Sequence, residues 1–248
     1  MYLTLSDQQI YYQKLGKGAD LILLHGWKQD VSSFHNISEI LKDHFTLWLI
    51  DLPGFGRSEN PKRPFYVKDY AEIIEEFIKQ NKLKNPNLLG HSLGGRVGIK
   101  LASQNPEILN KLVLESSAGI KHEHDLLRMA SFALAKIFNV LIPDSLSLKK
   151  YLKHKFYKQV GSDYDDAKEL KSTFVNIINE DLTPDLPKIK TQTLVIGGEL
   201  DTAVPPRDQK KMYRKIPNSK LEILEKVAHF PHLENPSKFL YYVTDFLS

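Results

Sequence analysis

Short apolar runs alternate with longer amphipathic ones along the first half of the chain, a rhythm that predicts βα repeats around a mainly parallel sheet. Strands are predicted at Gln9–Lys14, Leu21–Leu24, Thr46–Asp51, Asn87–Leu89, Lys111–Leu114, Thr193–Gly197 and Leu221–Leu224. The near-continuous apolar ones should be buried on both faces, as central parallel strands are. Tyr70, Ile73, Ile74, Phe77 and Ile78 recur at helical spacing and predict a helix over Val67–Gln80, with further helices at Arg96–Ser103 and Pro236–Leu247. The fold class is an open α/β sheet flanked by helices.

The rhythm breaks between Gly119 and Pro187. Three helical stretches follow one another there, Leu126–Ile142, Leu146–Lys158 and Asp165–Asn179, with turn-forming residues at Ser116-Ser117-Ala118-Gly119 and at Pro184 and Pro187. The organisation predicted is a core of residues 1–118 and 188–248 with a helical lobe, 119–187, inserted in it. Charge is polarised within the lobe, +5 over 121–158 and −5 over 159–187. Its stretch Leu126–Phe138 is apolar around much of a helix. Packing onto the core explains that pattern, pocket lining by Met129 and Phe132 is compatible with it, and contact with a membrane surface is a further reading.

With 42% apolar and 26% charged residues the chain sits among globular proteins and far from disordered ones. A net charge of +4, scattered along the sequence, does not imply nucleic acid as a partner. The absence of cysteine removes disulfides, thiolate metal sites and Cys nucleophiles together, and suits a reducing compartment. The N-terminus lacks a basic region followed by an apolar stretch, and no aliphatic run is long enough to span a membrane, so a soluble, cytoplasmic protein is expected.

Candidate chemistry starts at Gly90-His91-Ser92-Leu93-Gly94-Gly95, a G-x-S-x-G match between a predicted strand and a predicted helix. A serine on so tight a turn needs small neighbours, because side chains two positions either side would collide with the strand and the helix. An ordinary serine in a Gly-rich turn is the plainer alternative; a phosphate loop would need G-x-G-x-x-G or the P-loop Lys-Ser/Thr, and neither is there. A serine hydroxyl is a weak nucleophile without a base, and the base needs an orienting acid. In this architecture they follow in the order acid, then histidine. Asp201, just beyond the strand Leu194-Val195-Ile196, is the candidate acid, with Glu199 its competitor. His229, in the loop after the last strand, is the candidate base; His232 competes but is better placed, with Glu234, to organise the turn into the final helix. Two backbone N–H groups are expected to form an oxyanion hole, those of Leu93 and of Trp27 at the end of an earlier strand. Core packing is the alternative for Trp27, whose indole could also wall a pocket. His25 and His91 flank the centre as structural or pocket-lining groups, and His35, His44, His122, His124 and His154 read as surface residues.

Taken in order, His25-Gly26-Trp27, Asp51-Leu52-Pro53-Gly54-Phe55-Gly56-Arg57-Ser58, Gly90 to Gly95, Gly198-Glu199-Leu200-Asp201 and Ala228-His229 with Glu234-Asn235-Pro236 resemble the α/β-hydrolase superfamily. The resemblance implies a Ser92–Asp201–His229 triad, a lobe that caps the active site, a structural turn at Asp51–Ser58 with Arg57 no phosphate ligand, and no need of metal or organic cofactor. A serine nucleophile separates the chain from relatives that use Asp there, such as haloalkane dehalogenases and epoxide hydrolases. His25-Gly26-Trp27-Lys28 also departs from the Gly-Gly-Pro-Gly and Gly-Pro-Gly loops of prolyl iminopeptidases and meta-cleavage C–C hydrolases. A carboxylic ester hydrolase fits best. Perhydrolysis of the cofactor-free haloperoxidase type and C–C hydrolysis use the same triad, and a slow-turnover small-molecule receptor on the scaffold is the reading from another class. The His-Gly-Trp loop is similar to that of pimeloyl-acyl carrier protein methyl ester esterases, whose cap offers basic residues to an acidic carrier protein. Lys149, Lys150 and Lys153 could do the same, a solvated helix face being the plainer account of that charge run.

Overall fold

The computed structural model describes residues 1–121 and 168–248. Eight strands, β1 (Tyr2–Leu5), β2 (Gln8–Gly16), β3 (Ala19–Leu24), β4 (Phe45–Ile50), β5 (Asn87–His91), β6 (Lys111–Glu115), β7 (Gln192–Gly198) and β8 (Ser219–Leu224), form one sheet in the order β1-β2-β4-β3-β5-β6-β7-β8. β2 runs antiparallel to both β1 and β4, and every later pairing is parallel. The helices described are α1 (His35–Leu41), α2 (Val67–Gln80), α3 (Leu93–Gln104), α4 (Lys171–Asn179), α5 (Pro206–Lys215), α6 (Pro231–Glu234) and α7 (Pro236–Leu247).

Strand periodicity divides the core into two layers. Leu21 and Leu23 of β3, with Leu47 and Leu49 of β4, pack among Phe34, Ile37, Phe239 and Val243 on the α1/α7 side. Ile22, Leu24, Trp48 and Ile50 alternate to the other face, against Tyr70, Ile74 and Phe77 of α2 and Val97 of α3. The register Leu24↔Gly90, Gly90↔Leu114 and Leu114↔Val195 levels the carboxyl ends of β3, β5, β6 and β7. Loops leaving those ends therefore converge on one edge, where open α/β sheets bind ligands.

Each predicted strand is present, six of them extended by one to three residues and β4 shifted back by one, and the limits of α2 and α7 match the predicted ones. β1 was not foreseen: it is an edge strand whose exposed first residues carry little pattern, joined to β2 by Ser6 and Asp7, both at positive φ as a primed hairpin turn requires. α1 and the highly polar α5 also went unpredicted, since few of their side chains are buried. Of the predicted lobe, the described part carries a 3-10 turn (Lys168–Leu170) and α4, which ends at the predicted Asn179; the predicted start at Asp165 lies outside the described residues. The Phe65 N–H donates to Thr173 Oγ1 at 3.0 Å, and Asn176 Nδ2 donates to Phe65 O at 3.2 Å, so this limb lies directly on the core. The predicted helices Leu126–Ile142 and Leu146–Lys158, with Met129, Phe132, Lys149, Lys150 and Lys153, lie outside the described residues.

Candidate active site

β5 runs straight into Ser92, which sits at φ 49, ψ −102 before α3 begins. A non-glycine residue at positive φ costs about 1–3 kcal/mol and persists where its surroundings enforce it. Here Ser92 N–H donates to Glu115 O at 3.0 Å and Gly94 N–H to His25 O at 3.1 Å, pinning the turn to β6 and to the end of β3. A Cβ at Gly90 would strike the Gly94 carbonyl group, and one at Gly94 would strike Leu24 O, so the two flanking glycines are required by contact with backbone. Among the described residues, the N–H groups of Leu93 and Trp27 have no protein acceptor, the condition of an unfilled pair of donors.

Asp201 is buried just past β7. Its Oδ1 accepts the N–H groups of Ala203 and Val204 at 2.9 and 2.8 Å, and its Oδ2 lies 2.9 Å from His229 Nδ1. Burial pushes the Asp201 carboxyl up, but the bonds from His229 and Val204 outweigh it and hold the group below the usual carboxylate value. A carboxylate only accepts, so the His229 proton belongs on Nδ1 and Nε2 is left basic. The loop that carries His229 is fixed on its outer side by Glu234, whose two oxygens accept Ala228 N–H at 2.7 Å and Phe230 N–H at 2.9 Å. The His229 ring centroid lies 5.0 Å from that of His91, the residue before Ser92. Ser92 Oγ carries no hydrogen bond to His229 here, and such contacts commonly tighten only with substrate present.

Glu199, the competing acid, is exposed and accepts Lys226 N–H at 3.2 Å. His232, the competing base, is fully buried, with Nδ1 2.6 Å from Glu115 Oε1. Sequence reasoning did not single out Glu115; a lone acid closing an apolar strand was the available signal. His25 is wholly interior, donating from Nδ1 to Gly26 O at 2.8 Å and accepting Leu52 N–H at 2.9 Å, which ties the β3 and β4 ends together. Burial pushes the His91 ring well below the ordinary histidine value, helped by His232, His229 and His25 around it. At Asp51–Ser58 a turn forms as expected, with Asp51 accepting the N–H groups of Val31 and Arg57 at 2.7 and 2.9 Å and Arg57 donating to Tyr11 OH at 2.6 Å.

Among the described residues, two cavities open near the carboxyl edge of the sheet, neither lined by Ser92 or His229. One of about 450 Å³ is lined by Trp27, Lys28, Phe55 and Leu170, with the Trp27 ring packed between Phe55 and Phe174 at 4.8 and 5.0 Å. The other, about 280 Å³, is lined by Arg96, Ser117, Thr202 and Ala203. Neither is lined by His25 or His91. Arg96, its value pushed down by burial to about 10 and so still a cation at neutral pH, donates to Ile177 O and Glu180 O at 2.8 and 3.2 Å and anchors the end of α4 to α3.

Comparison with known proteins bears on the fold. Residues 21–141 match the family model described as alpha/beta hydrolase fold. The chain is 27% identical over 255 residues to the uncharacterized hydrolase YugF of Bacillus subtilis, covering 96% of this chain and 92% of that one. It is also 27% identical over 259 residues to the pimeloyl-[acyl-carrier protein] methyl ester esterase of Aeromonas hydrophila, covering 95% and 98%. Among solved structures, the enol-lactonase from Burkholderia xenovorans LB400 superposes with a TM-score of 0.79 at 23% identity, over 100% of this chain and 99% of that one. Sheet order, strained serine turn and these matches give the chain the α/β-hydrolase fold and a sequence similar to those hydrolases.

Proposed function

We propose that the protein hydrolyses carboxylic esters through an acyl-enzyme. His229 Nε2 takes the Ser92 proton as Oγ attacks the ester carbonyl, Asp201 steadies the imidazolium, and the N–H groups of Leu93 and Trp27 bind the oxyanion. Collapse of the tetrahedral intermediate returns the proton to the departing alcohol; water, deprotonated by the same imidazole, then releases the acid. The observation that carries this reading is the part-buried Asp201–His229 bond of 2.9 Å in a loop whose histidine packs beside His91, the residue before the strained Ser92 turn. In this reading the predicted lobe acts as a cap, and the bonds from Arg96 to Ile177 O and Glu180 O hold its described limb to α3.

Turnover of short p-nitrophenyl esters by the parent and by Ser92→Ala tests the assignment. Repeated turnover lost in the variant, with a fluorophosphonate adduct mapped to Ser92, is the expected result. A Ser92→Ala protein as active as the parent removes the nucleophile. A single burst ending in a stable adduct points instead to a receptor, and peroxide-dependent oxidation without ester turnover to a perhydrolase. The carrier-protein esterase among the relatives adds a substrate class, an ester borne by an acidic acyl carrier protein docking on Lys149, Lys150 and Lys153. Charge reversal at those lysines should slow hydrolysis of a carrier-bound ester and spare a small one; equal effects on both would remove this partner. No helix among the described residues is long and apolar enough to cross a membrane.

A further inference from the structure

The proposed reaction leaves Glu115, the last residue of β6, without a part. Its side chain is completely buried. Oε1 accepts two bonds from one residue, the His232 N–H at 2.9 Å and His232 Nδ1 at 2.6 Å. The Glu115 main-chain carbonyl accepts Ser92 N–H at 3.0 Å. Between these contacts lies the His91 ring, with Nδ1 3.7 Å from Glu115 Oε2 and its centroid 5.0 Å from His229 and 5.2 Å from His232. One residue thus holds the serine turn through its main chain and the histidine loop through its side chain.

Beside the main-chain bond from Leu200 N–H to Val227 O at 2.8 Å, four side-chain bonds hold the backbone over residues 228–232. Glu234 takes the N–H groups of Ala228 and Phe230, Asn36 Nδ2 donates to His232 O at 2.7 Å, and Glu115 takes the N–H of His232. Of these, the Glu115 bond alone is fully buried, away from competing water. A buried carboxyl group needs hydrogen-bond partners, and His232 supplies both of those that Oε1 has. Moving that anchor moves His229, three positions earlier in the same loop, relative to Ser92.

We infer that Glu115 is a positioning residue for the proposed hydrolysis: paired with His232, it sets the His229 loop over the Ser92 turn. The inference rests on the ester-hydrolase reading, and its test separates the two. Glu115→Gln keeps the side-chain volume and an oxygen to accept the His232 N–H but gives up the anion opposite Nδ1. Activity on p-nitrophenyl butyrate is measured per active site titrated with a fluorophosphonate, so that unfolded protein does not count. For Glu115→Gln, kcat should fall about 10- to 100-fold with KM within about twofold, as a displaced catalytic group predicts. The fluorophosphonate inactivation rate should fall in parallel. His232→Asn, whose amide Nδ2 can stand in for Nδ1 as donor, should remain within about fivefold of the parent.

If Ser92→Ala is inactive while Glu115→Gln keeps kcat within twofold, the positioning role is wrong and the hydrolase reading stands. If Ser92→Ala is active, the hydrolase reading fails first. A change confined to KM, or a His232→Asn protein no better than Glu115→Gln, also overturns the role. Since His91, Glu115 and His232 bring donor atoms within 4.8 Å of one another, parent activity is measured with and without EDTA. Unchanged activity is expected, and a loss as large as that of Glu115→Gln would replace the strut with a cation site.

Discussion

Asp201–His229 and Glu115–His232 are two acid–histidine pairs of similar length, 2.9 and 2.6 Å, packed near the same serine turn. Both acids are buried, and both imidazoles use Nδ1 for the acid. What differs is the other nitrogen. The His229 side chain keeps 22% of its exposure and His232 keeps none, with Nε2 sealed in and unpartnered. Proton transfer to a substrate needs a nitrogen the substrate can reach, so pairing with an acid nominates a base and access decides between nominees. The buried pair is left with geometry as its contribution.

Crossed substitutions put that division to its hardest test. His229→Ala should lower kcat by about 10⁴-fold or more with a smaller loss of stability than His232→Ala, because Asp201 keeps the N–H bonds of Ala203 and Val204 when the part-exposed ring is removed. His232→Ala should lower stability by about 3 kcal/mol, since it leaves the buried Glu115 carboxyl without its partner, and should lower kcat only by the roughly 10- to 100-fold expected of Glu115→Gln, far less than His229→Ala. Ester turnover and urea unfolding, run on both variants, check the pair of outcomes. A His232 variant that is stable but dead, beside a His229 variant that is active, would reverse the assignment of base and strut.

Asp201→Asn is expected to cost nearly as much activity, about 10³- to 10⁴-fold, because the amide favours the wrong tautomer of His229. It also sharpens the comparison through pH. Burial raises the Asp201 carboxyl, the bonds from His229 and Val204 more than reverse this, and the folded value is depressed. A depressed folded value means stability that is present above the ordinary carboxylate range and lost as pH falls through the folded one. The urea midpoint of the parent should therefore exceed that of Asp201→Asn at neutral pH, with the gap closing on acidification. A gap that widens toward acid contradicts the charge state assigned to the outer pair.

The two pairs were unequally legible in the sequence, for a physical reason. Ser92, Asp201 and His229 each sit just past an apolar strand run, where small or turn-forming residues mark the carboxyl edge of the sheet, so one-dimensional pattern exposes them. The same burial that hides β3 to β7 from water makes those strands easy to read, whereas β1, α1 and α5 lie at edges or bury few side chains and leave faint patterns. Glu115 resembles any strand-terminal acid until parallel pairing of β5 with β6 sets it beside His91. Its partner His232 stands 117 positions later, a separation that no local spacing rule bridges. Glu234 was placed with the turn into the last helix, and its grip on both sides of His229 became visible through the two main-chain bonds.

The smallest effect belongs to that grip. Glu234 is exposed, and bonds made in water contribute little net because the solvent replaces them, so Glu234→Ala should lower kcat about fivefold, the equivalent of about 1 kcal/mol of loop restraint. Glu234→Gln should fall between the variant and the parent, since a carboxamide oxygen can accept one of the two N–H groups. Set beside Glu115→Gln, the outcome ranks the inner and outer anchors of one loop with the same assay. Should the exposed anchor prove the costlier to remove, the His229 loop is set from the solvent side, and the buried pair is a consequence of its position rather than a cause.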